Sequence, residues 1–301
     1  MWRPRAGALV AALIAPALMA AACGGSDDRA ATKGTITVGA VTFAENQIVA
    51  EMYAQVLEKA GYRVERQLNI GSREILQPAL QKGDIDIAPE YLGSLLVFLD
   101  PKADPSSDPE QIVGPLEKAL EARRLVLLRL SRANDTNAFV VTRATAGTHG
   151  LRKVSDLAAV AEKLTLGGPA ECPERPFCLL GLERTYGIKG LKFQPIGVCN
   201  TPTAQALEAG KVDIALLCST QAIISEKDWV VLEDDKGLQK ADNIAPVVNR
   251  KALNPEIEQL LNGVSSKLTT ENLTKLNARV ELRREDPAQV ARDFLKEQGL
   301  L

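Results

Sequence analysis

The sequence predicts an α/β protein of two lobes with a ligand cleft between them. Its 301 residues suit two lobes of ordinary domain size better than one small core. An internal repeat with an offset of about 128 residues indicates that one structural unit occurs twice. Apolar residues make up 46% of the chain and charged residues 25%, which is the balance of a soluble globular protein.

The first 22 residues have the pattern of an export signal. Arg3 and Arg5 precede an Ala/Leu-rich run over residues 6–22, which is short and alanine-rich for a membrane span. Small residues before Cys23 and a polar stretch after it resemble a bacterial lipoprotein signal, in which the cysteine is lipidated. The alternative is an ordinary secretory signal with a leftover cysteine. We expect an exported protein, lipid-anchored through Cys23 to the outer face of the cell membrane, with a flexible tether over residues 23–34.

The internal repeat consists of three matched segments in one order. The matched pairs are residues 36–39 with 164–167, residues 61–64 with 190–193, and residues 79–88 with 206–215. Each unit has the order strand, helix, strand, helix, strand. Strands joined by helical crossovers form parallel sheets, and such sheets bind ligands beyond the carboxyl ends of their strands.

The elements of the first unit follow one another at short spacing. Residues 35–41 form an apolar strand, and residues 42–45 have the spacing of a capping box. An apolar helical stripe then ends at Gly61. Ser72 can cap a second helix, and residues 85–88 form a buried strand.

Two pairs of repeated residues are assigned to the fold rather than to function. Gly83 and Gly210 suit the C-caps of helices. Asp86 and Asp213 stand at equivalent places in the two units and are expected to be structural within turns.

Two α/β lobes around a cleft are the architecture of a type II-like periplasmic binding protein. Residues 134–141 and 242–248 are candidate hinge strands, where the chain passes to the second lobe and returns. Helix starts near residues 254, 269 and 286 indicate C-terminal helices that pack on the first lobe. The expected division is lobe I over residues 35–137 and 243–301, and lobe II over residues 138–242.

Four cysteines remain once Cys23 is set aside. An even number in an exported protein indicates two disulfides, for which three connectivities exist. Short loops close most readily, so the pairing Cys172–Cys178 and Cys199–Cys218 is preferred. The alternative is zinc binding, but the chain has no CxxC spacing and one histidine, His149. We expect no metal and no cofactor.

Charge and residue content disfavour several function classes. The net charge of −2 comes from 36 basic and 38 acidic residues without a basic stripe, which argues against nucleic acid as a partner. One histidine and four cysteines expected to be oxidised leave little for acid–base or nucleophilic catalysis. A hydrolase using Glu90 and Asp242 is conceivable but has no motif. We expect a monomeric binding protein rather than an enzyme.

A series of short segments matches a known family. They are residues 35–39, 43–46, 71–74, 85–91, 134–138, 171 with 175, 212–215, 234–237, 243–248 and 294–296. These segments resemble the glycine betaine/choline/carnitine-binding proteins of osmoprotectant importers. The resemblance implies an extracytoplasmic receptor that closes on a small solute and delivers it to an ABC permease and its ATPase.

The same resemblance implies a set of ligand-binding residues. In the family, tyrosine faces surround a quaternary ammonium group through cation–π attraction. Tyr91 matches one aromatic position, and Arg175 matches the basic residue that holds a ligand carboxylate. Three further aromatic positions fall on Asn137, Cys218 and Asp242. The expected ligand-binding residues are Thr42, Phe43, Arg73, Tyr91, Thr136, Asn137, Arg175, Cys218 and Asp242.

The replaced aromatic residues leave two ligand classes open. Each lost cation–π contact costs about 0.5–2 kcal/mol, although Asp242 can offset this by pairing with a cation. Asn137 and Asp242 also offer hydrogen bonds to a hydroxylated solute. A quaternary ammonium osmoprotectant is one prediction, and a hydroxylated non-quaternary molecule is the other. A separate interpretation of the function is a sensor lipoprotein of the same fold that is not coupled to transport.

Overall fold

Two five-stranded sheets, one in each lobe, organise the fold. The structure is a computed structural model that describes residues 33–301. The expected signal peptide, the lipidated Cys23 and most of the tether lie outside the described residues. No helix among the described residues combines the length and the apolar character needed to cross a membrane.

The strands of the two sheets alternate with helices along the chain. The strands are β1 (Thr35–Gly39), β2 (Arg63–Gln67), β3 (Ile87–Tyr91), β4 (Leu125–Leu127), β5 (Asn137–Val141), β6 (Thr165–Gly168), β7 (Lys192–Pro195), β8 (Ile214–Cys218), β9 (Val230–Val231) and β10 (Ile244–Asn249). The α-helices are α1 (Ala44–Lys59), α2 (Arg73–Lys82), α3 (Leu92–Leu99), α4 (Glu110–Glu121), α5 (Arg143–His149), α6 (Leu179–Gly181), α7 (Thr201–Glu208), α8 (Ile223–Glu226), α9 (Pro255–Ser265), α10 (Thr270–Glu281) and α11 (Pro287–Glu297). Short 3₁₀ helices span Val154–Ala159, Ala161–Lys163 and Cys172–Glu174, and a π-helix spans Leu182–Tyr186.

Both sheets have the same plan, which confirms the internal repeat. Lobe I has the order β2-β1-β3-β10-β4, and lobe II has the order β7-β6-β8-β5-β9. The first three strands of each order are parallel, whereas β10 and β5 run antiparallel to both of their neighbours. The expectation of a parallel sheet in each lobe is therefore wrong for that part of each sheet. The reason is that β5 and β10 directly follow the two places where the chain crosses from one lobe to the other. Each strand therefore enters its sheet from the hinge side.

The repeated aspartates have matching roles. The backbone N–H of Thr37 donates to Asp86 Oδ2 at 2.8 Å, and the N–H of Thr165 donates to Asp213 Oδ2 at 2.8 Å. Each carboxylate thus ties the start of a buried strand to the neighbouring parallel strand. The structural assignment is confirmed, although the bond joins two strands rather than closing a turn.

One of the two hydrophobic cores of lobe I lies between its sheet and the C-terminal helices, and the other lies against α2, α3 and α4. Helix α1 is buried along most of its length and packs against α9, α10 and α11. The three C-terminal helices begin where the sequence predicts, with the side chains of Asn254, Thr269 and Asp286 accepting N-terminal N–H groups. The packing of these helices on lobe I is confirmed.

The predicted capping box at the start of α1 is wrong. Phe43 occupies the N-cap without a side-chain hydrogen bond. The hydroxyl of Thr42 instead accepts the N–H of Gly71 at 2.9 Å, which ties the loop before α1 to the loop before α2. Glu45 is buried and points into the contact between the lobes.

The two chain crossings between the lobes lie side by side. Asp135 N–H donates to the carbonyl of Asp242 at 3.2 Å, and Asp242 N–H donates to Asn134 Oδ1 at 2.7 Å. Asn134 also forms an isolated antiparallel bridge with Asn243. The connection is a narrow two-stranded waist, as the candidate hinge strands require.

Candidate ligand-binding site

A cavity of about 510 Å³ lies between the two lobes. Its walls come from the segments that follow β1, β2, β3, β6 and β7, and from the last residues of β3 and β8. This is the edge at which parallel strands present their carboxyl ends, the usual ligand position in α/β folds. The volume suits a small solute.

Four aromatic side chains line the cavity. The rings of Phe43 and Tyr91 from lobe I have centroids 5.9 Å apart and are tilted by 36°. Phe98, near the end of α3, adds a third ring, and Phe177 adds a fourth from lobe II. Sequence reasoning missed Phe98 and Phe177, because neither stands in a matched segment.

A buried ion pair forms part of the lobe I wall. Arg73 Nε and Nη2 lie 2.9 Å and 2.8 Å from Glu90 Oε2, and Gln77 donates to Glu90 Oε1 at 2.7 Å. Burial opposes the charge of Arg73, but the carboxylates of Glu90 and Asp242 outweigh it and raise the pKa of Arg73. The pair supplies a rigid, internally neutralised surface.

Asp242 places a carboxylate inside the cavity. It accepts the N–H of Ser94 at 2.8 Å and also accepts the Ser94 hydroxyl. Burial raises the pKa of Asp242 to about 6, an effect that the Ser94 bonds and the charge of Arg73 only partly oppose. The side chain is therefore mostly ionised at neutral pH and can face a cationic ligand.

An ion pair closes across the cavity from one lobe to the other. Nη2 of Arg175 in lobe II lies 2.9 Å and 3.1 Å from the two carboxylate oxygens of Glu74 in lobe I. Both side chains are partly exposed. Arg175, expected to hold a ligand carboxylate, is thus paired with a carboxylate of the protein.

Behind the aromatic wall, a buried polar network joins the lobes. Glu45 Oε2 accepts from Thr220 Oγ1 at 2.5 Å and from Asn277 Nδ2 at 2.8 Å, while Glu45 Oε1 accepts from the Tyr91 hydroxyl at 2.9 Å. Burial raises the pKa of Glu45 and, together with the charge of Glu45, raises the pKa of Asp135 well above its usual range. Asp135 Oδ1 accepts from Thr220 N–H and Ser219 Oγ, each at 3.0 Å.

A further carboxylate contact between the lobes involves Glu281. Gln221 Nε2 in lobe II donates to Glu281 Oε1 at 3.2 Å, and Glu281 Oε2 is buried without a hydrogen bond. Burial raises the pKa of Glu281 to about 8, with a smaller contribution from the charge of Glu45. Burial where the lobes meet thus raises the pKa of Glu45, Asp135 and Glu281, although the hydrogen bonds to these groups oppose the rise.

Two disulfides hold the lobe II wall, and the predicted pairing Cys172–Cys178 and Cys199–Cys218 is confirmed. Cys199 and Cys218 line the cavity. Asp135 lies close to both sulfurs, but sulfurs bonded to each other do not supply thiolate ligands. This cluster is therefore disfavoured as a metal site.

The cavity gathers most of the expected ligand-binding residues. Those lining it are Phe43, Arg73, Tyr91, Asn137, Arg175, Cys218 and Asp242. Thr42 and Thr136 are not in the lining. Thr42 is exposed and bonded to Gly71, and the Thr136 N–H donates to Ser219 Oγ at 3.0 Å.

Two similar α/β lobes, joined by a narrow waist and meeting over a partly open cavity, define a periplasmic-type solute-binding protein. Residues 34–297 match the OpuAC family, described as the substrate binding domain of ABC-type glycine betaine transport systems. The chain belongs to this family. It is accordingly an extracytoplasmic binding component of an ABC transport system, and the prediction that it is not an enzyme is confirmed by this membership.

Several known proteins are similar over nearly the whole chain. The glycine-betaine-binding protein of Pseudomonas aeruginosa is 30% identical over 285 residues, which cover 89% of each chain. The carnitine transport binding protein OpuCC of Listeria monocytogenes is 30% identical over 275 residues, covering 88% of this chain and 87% of the relative. The crystal structure of a glycine betaine/carnitine/choline ABC transporter has a TM-score of 0.68 and 27% identity, covering 88% of this chain and 99% of that one.

Proposed function

We propose that this chain captures a quaternary ammonium osmoprotectant in the cavity between its lobes and delivers it to an ABC permease. The observation that carries the proposal is a cavity combining four aromatic side chains with an excess of carboxylates. Three arginines and six carboxylic side chains line it: Arg73, Arg175, Arg184, Glu74, Glu90, Asp135, Glu171, Glu174 and Asp242.

A quaternary ammonium group needs this combination of surfaces. It cannot donate a hydrogen bond, so ring faces and nearby negative charge replace the water it loses. Phe43, Tyr91, Phe98 and Phe177 supply the rings. Asp242 supplies a buried carboxylate that is ionised above a pH of about 6.

The mechanism that we propose is hinge closure. Ligand binds first to the lobe I wall, and lobe II then swings over it about the candidate hinge strands, residues 134–141 and 242–248. Closure forms the Arg175–Glu74 and Thr220–Glu45 contacts. The proposed division keeps lobe II at residues 138–242, with residues 35–137 and 243–301 in lobe I.

The remaining parts of the proposal concern the setting of the protein. The mature chain acts as a monomer, anchored through a lipid on Cys23 and a tether over residues 23–34, after removal of residues 1–22. Its closed form docks on the permease, and the ATPase drives release. Mass spectrometry of the mature protein tests the anchor, because an unmodified Cys23 or a different N-terminus contradicts it.

A thermal-shift screen with calorimetric follow-up tests the ligand class. Glycine betaine, choline and carnitine are compared with polyols and sugars on the mature protein. A ligand at about 100 times its Kd adds about 2.7 kcal/mol to the free energy of unfolding. Stabilisation by a quaternary ammonium compound supports the proposal. Stabilisation by hydroxylated compounds alone contradicts it and indicates a shifted specificity.

A further inference from the structure

We infer that the cavity prefers quaternary ammonium compounds without a carboxylate, such as choline, over zwitterionic ones such as glycine betaine, and that Glu74 sets this preference. The inference rests on the proposed function. It follows from how the arginines of the cavity are paired, because a buried carboxylate needs a cationic or hydrogen-bonding partner.

The first arginine of the cavity is committed to the protein itself. Arg73 binds Glu90 through two nitrogens, and both side chains are largely buried, with 14% and 3% of their surfaces exposed. Turning Arg73 toward a ligand would leave Glu90 as a buried, poorly compensated carboxylate, which is costly. Arg73 therefore stays with Glu90.

The second arginine is occupied at the point where the lobes meet. Arg175 Nη2 contacts both oxygens of Glu74, at 2.9 Å and 3.1 Å. A ligand carboxylate that reached Arg175 would have to displace Glu74 or share the guanidinium with it. In either case two negative groups lie close together, and their repulsion penalises the ligand.

The other charges of the lining act in the same direction. Asp242 puts a carboxylate inside the cavity, and Glu171 lines it from lobe II. Glu174 also lines the cavity but is exposed to solvent, where its charge is screened. Arg184 also lines the cavity but is exposed to solvent, where its attraction is screened. Choline and glycine betaine share the trimethylammonium group and differ in carrying a hydroxymethyl group or a carboxylate. The carboxylates of the lining repel the carboxylate of glycine betaine but not the hydroxyl group of choline.

Titration calorimetry with both ligands tests the inference. The proteins are the mature wild type, Glu74→Gln, the double variant with Arg175→Gln, and Glu183→Gln. Glu183 carries the same charge in an exposed ion pair with Lys189, 3.3 Å away and outside the cavity lining, so its variant is the matched control. Choline should bind the wild type more tightly than glycine betaine.

Glu74→Gln should shift the affinity ratio toward glycine betaine about fivefold, equivalent to about 1 kcal/mol. The double variant should lose this gain, because the freed guanidinium is then absent, and Glu183→Gln should leave the ratio unchanged. Melting temperatures confirm that each variant is folded.

The measured ratio separates specificity from closure. If Glu74 only holds the lobes together, both affinities fall by one factor, and the unchanged ratio overturns the inference. Equal or tighter binding of glycine betaine by the wild type also overturns it while the proposed function stands. Absence of binding by every quaternary ammonium compound overturns both.

Discussion

The hydroxyl of Thr220 in lobe II donates to Glu45 in lobe I at 2.5 Å, in a position shielded from solvent. The remaining donors to Glu45 are Tyr91 and Asn277, both of lobe I. Opening of the lobes would therefore remove one of three donors from a buried carboxyl group. This bond links the solvation of Glu45 to the angle between the lobes.

Replacing Thr220 with valine should weaken ligand binding. Valine keeps the shape but removes the hydroxyl, so the closed form holds Glu45 with one donor fewer, at a cost of about 1–3 kcal/mol. Affinity should fall about tenfold, and small-angle scattering should show a larger radius of gyration at equal ligand concentration. Thr274→Val, which removes an exposed hydroxyl bonded to the Thr270 carbonyl, is the control and should change neither quantity.

Replacing Glu281 with glutamine should stabilise the protein at alkaline pH. Burial raises the pKa of Glu281 to about 8 from an ordinary 4.5, so the folded chain holds a proton that the unfolded chain has released. This contribution to wild-type stability consequently falls as the pH rises through that window. Denaturant unfolding should show the variant about 1–3 kcal/mol more stable at pH 9 and unchanged near pH 4.

Glu271→Gln is the control for that experiment, because Glu271 is an exposed residue of the same helix, paired with Lys275. Its unfolding free energy should follow that of the wild type at both pH values. A constant difference between Glu281→Gln and wild type across the range would contradict a proton held by Glu281.

Replacing Asp242 with asparagine should remove a pH dependence from ligand binding. The carboxyl pKa of about 6 means that wild-type affinity for a quaternary ammonium compound rises between about pH 5 and pH 7, as Asp242 ionises. Asparagine keeps an acceptor for Ser94 but carries no charge. Its affinity should be about tenfold lower at pH 8, roughly 1.4 kcal/mol, and nearly flat with pH. A parallel pH profile in both proteins would exclude Asp242 as the titrating group.

The two disulfides should contribute unequally to stability. Cys199–Cys218 closes a separation of 19 residues and Cys172–Cys178 one of 6. Loop-closure entropy predicts losses of about 3 and about 2 kcal/mol when each pair is replaced by serine. Chemical unfolding of the two double variants measures the difference. An equal loss would show that strain or residual unfolded structure outweighs loop length.

The sequence predicts the framework of this protein well because the framework repeats. Asp86 and Asp213 occupy matched positions, and their bonds to Thr37 and Thr165 have the same length of 2.8 Å. Such a bond depends on neighbours within one supersecondary unit, and a local pattern therefore encodes it. The antiparallel strands β5 and β10 depend on the crossing between the lobes, which no local pattern reveals.

The site is harder to predict, because its members meet only when the lobes meet. Glu74 and Arg175 are separated by 101 positions, so neither segment alone indicates their pairing. Phe98 lies near the end of an apolar helix, where the sequence pattern predicts a residue of the hydrophobic core. Phe177 lies inside the Cys172–Cys178 loop, which a sequence shows only as a covalent constraint. Phe98 and Phe177 thus add two rings to a cavity in which three expected aromatic positions hold Asn137, Cys218 and Asp242.

Asp242 has two roles, one carried by its side chain and the other by its backbone. Its carboxylate faces the cavity, while its N–H and carbonyl bind Asn134 and Asp135 in the opposite crossing strand. Because those two bonds use backbone atoms, a substitution of the side chain changes the charge offered to a solute and leaves the connection between the lobes bonded. A lineage of this protein can therefore acquire a new cargo at position 242 while it inherits the same joint between its lobes.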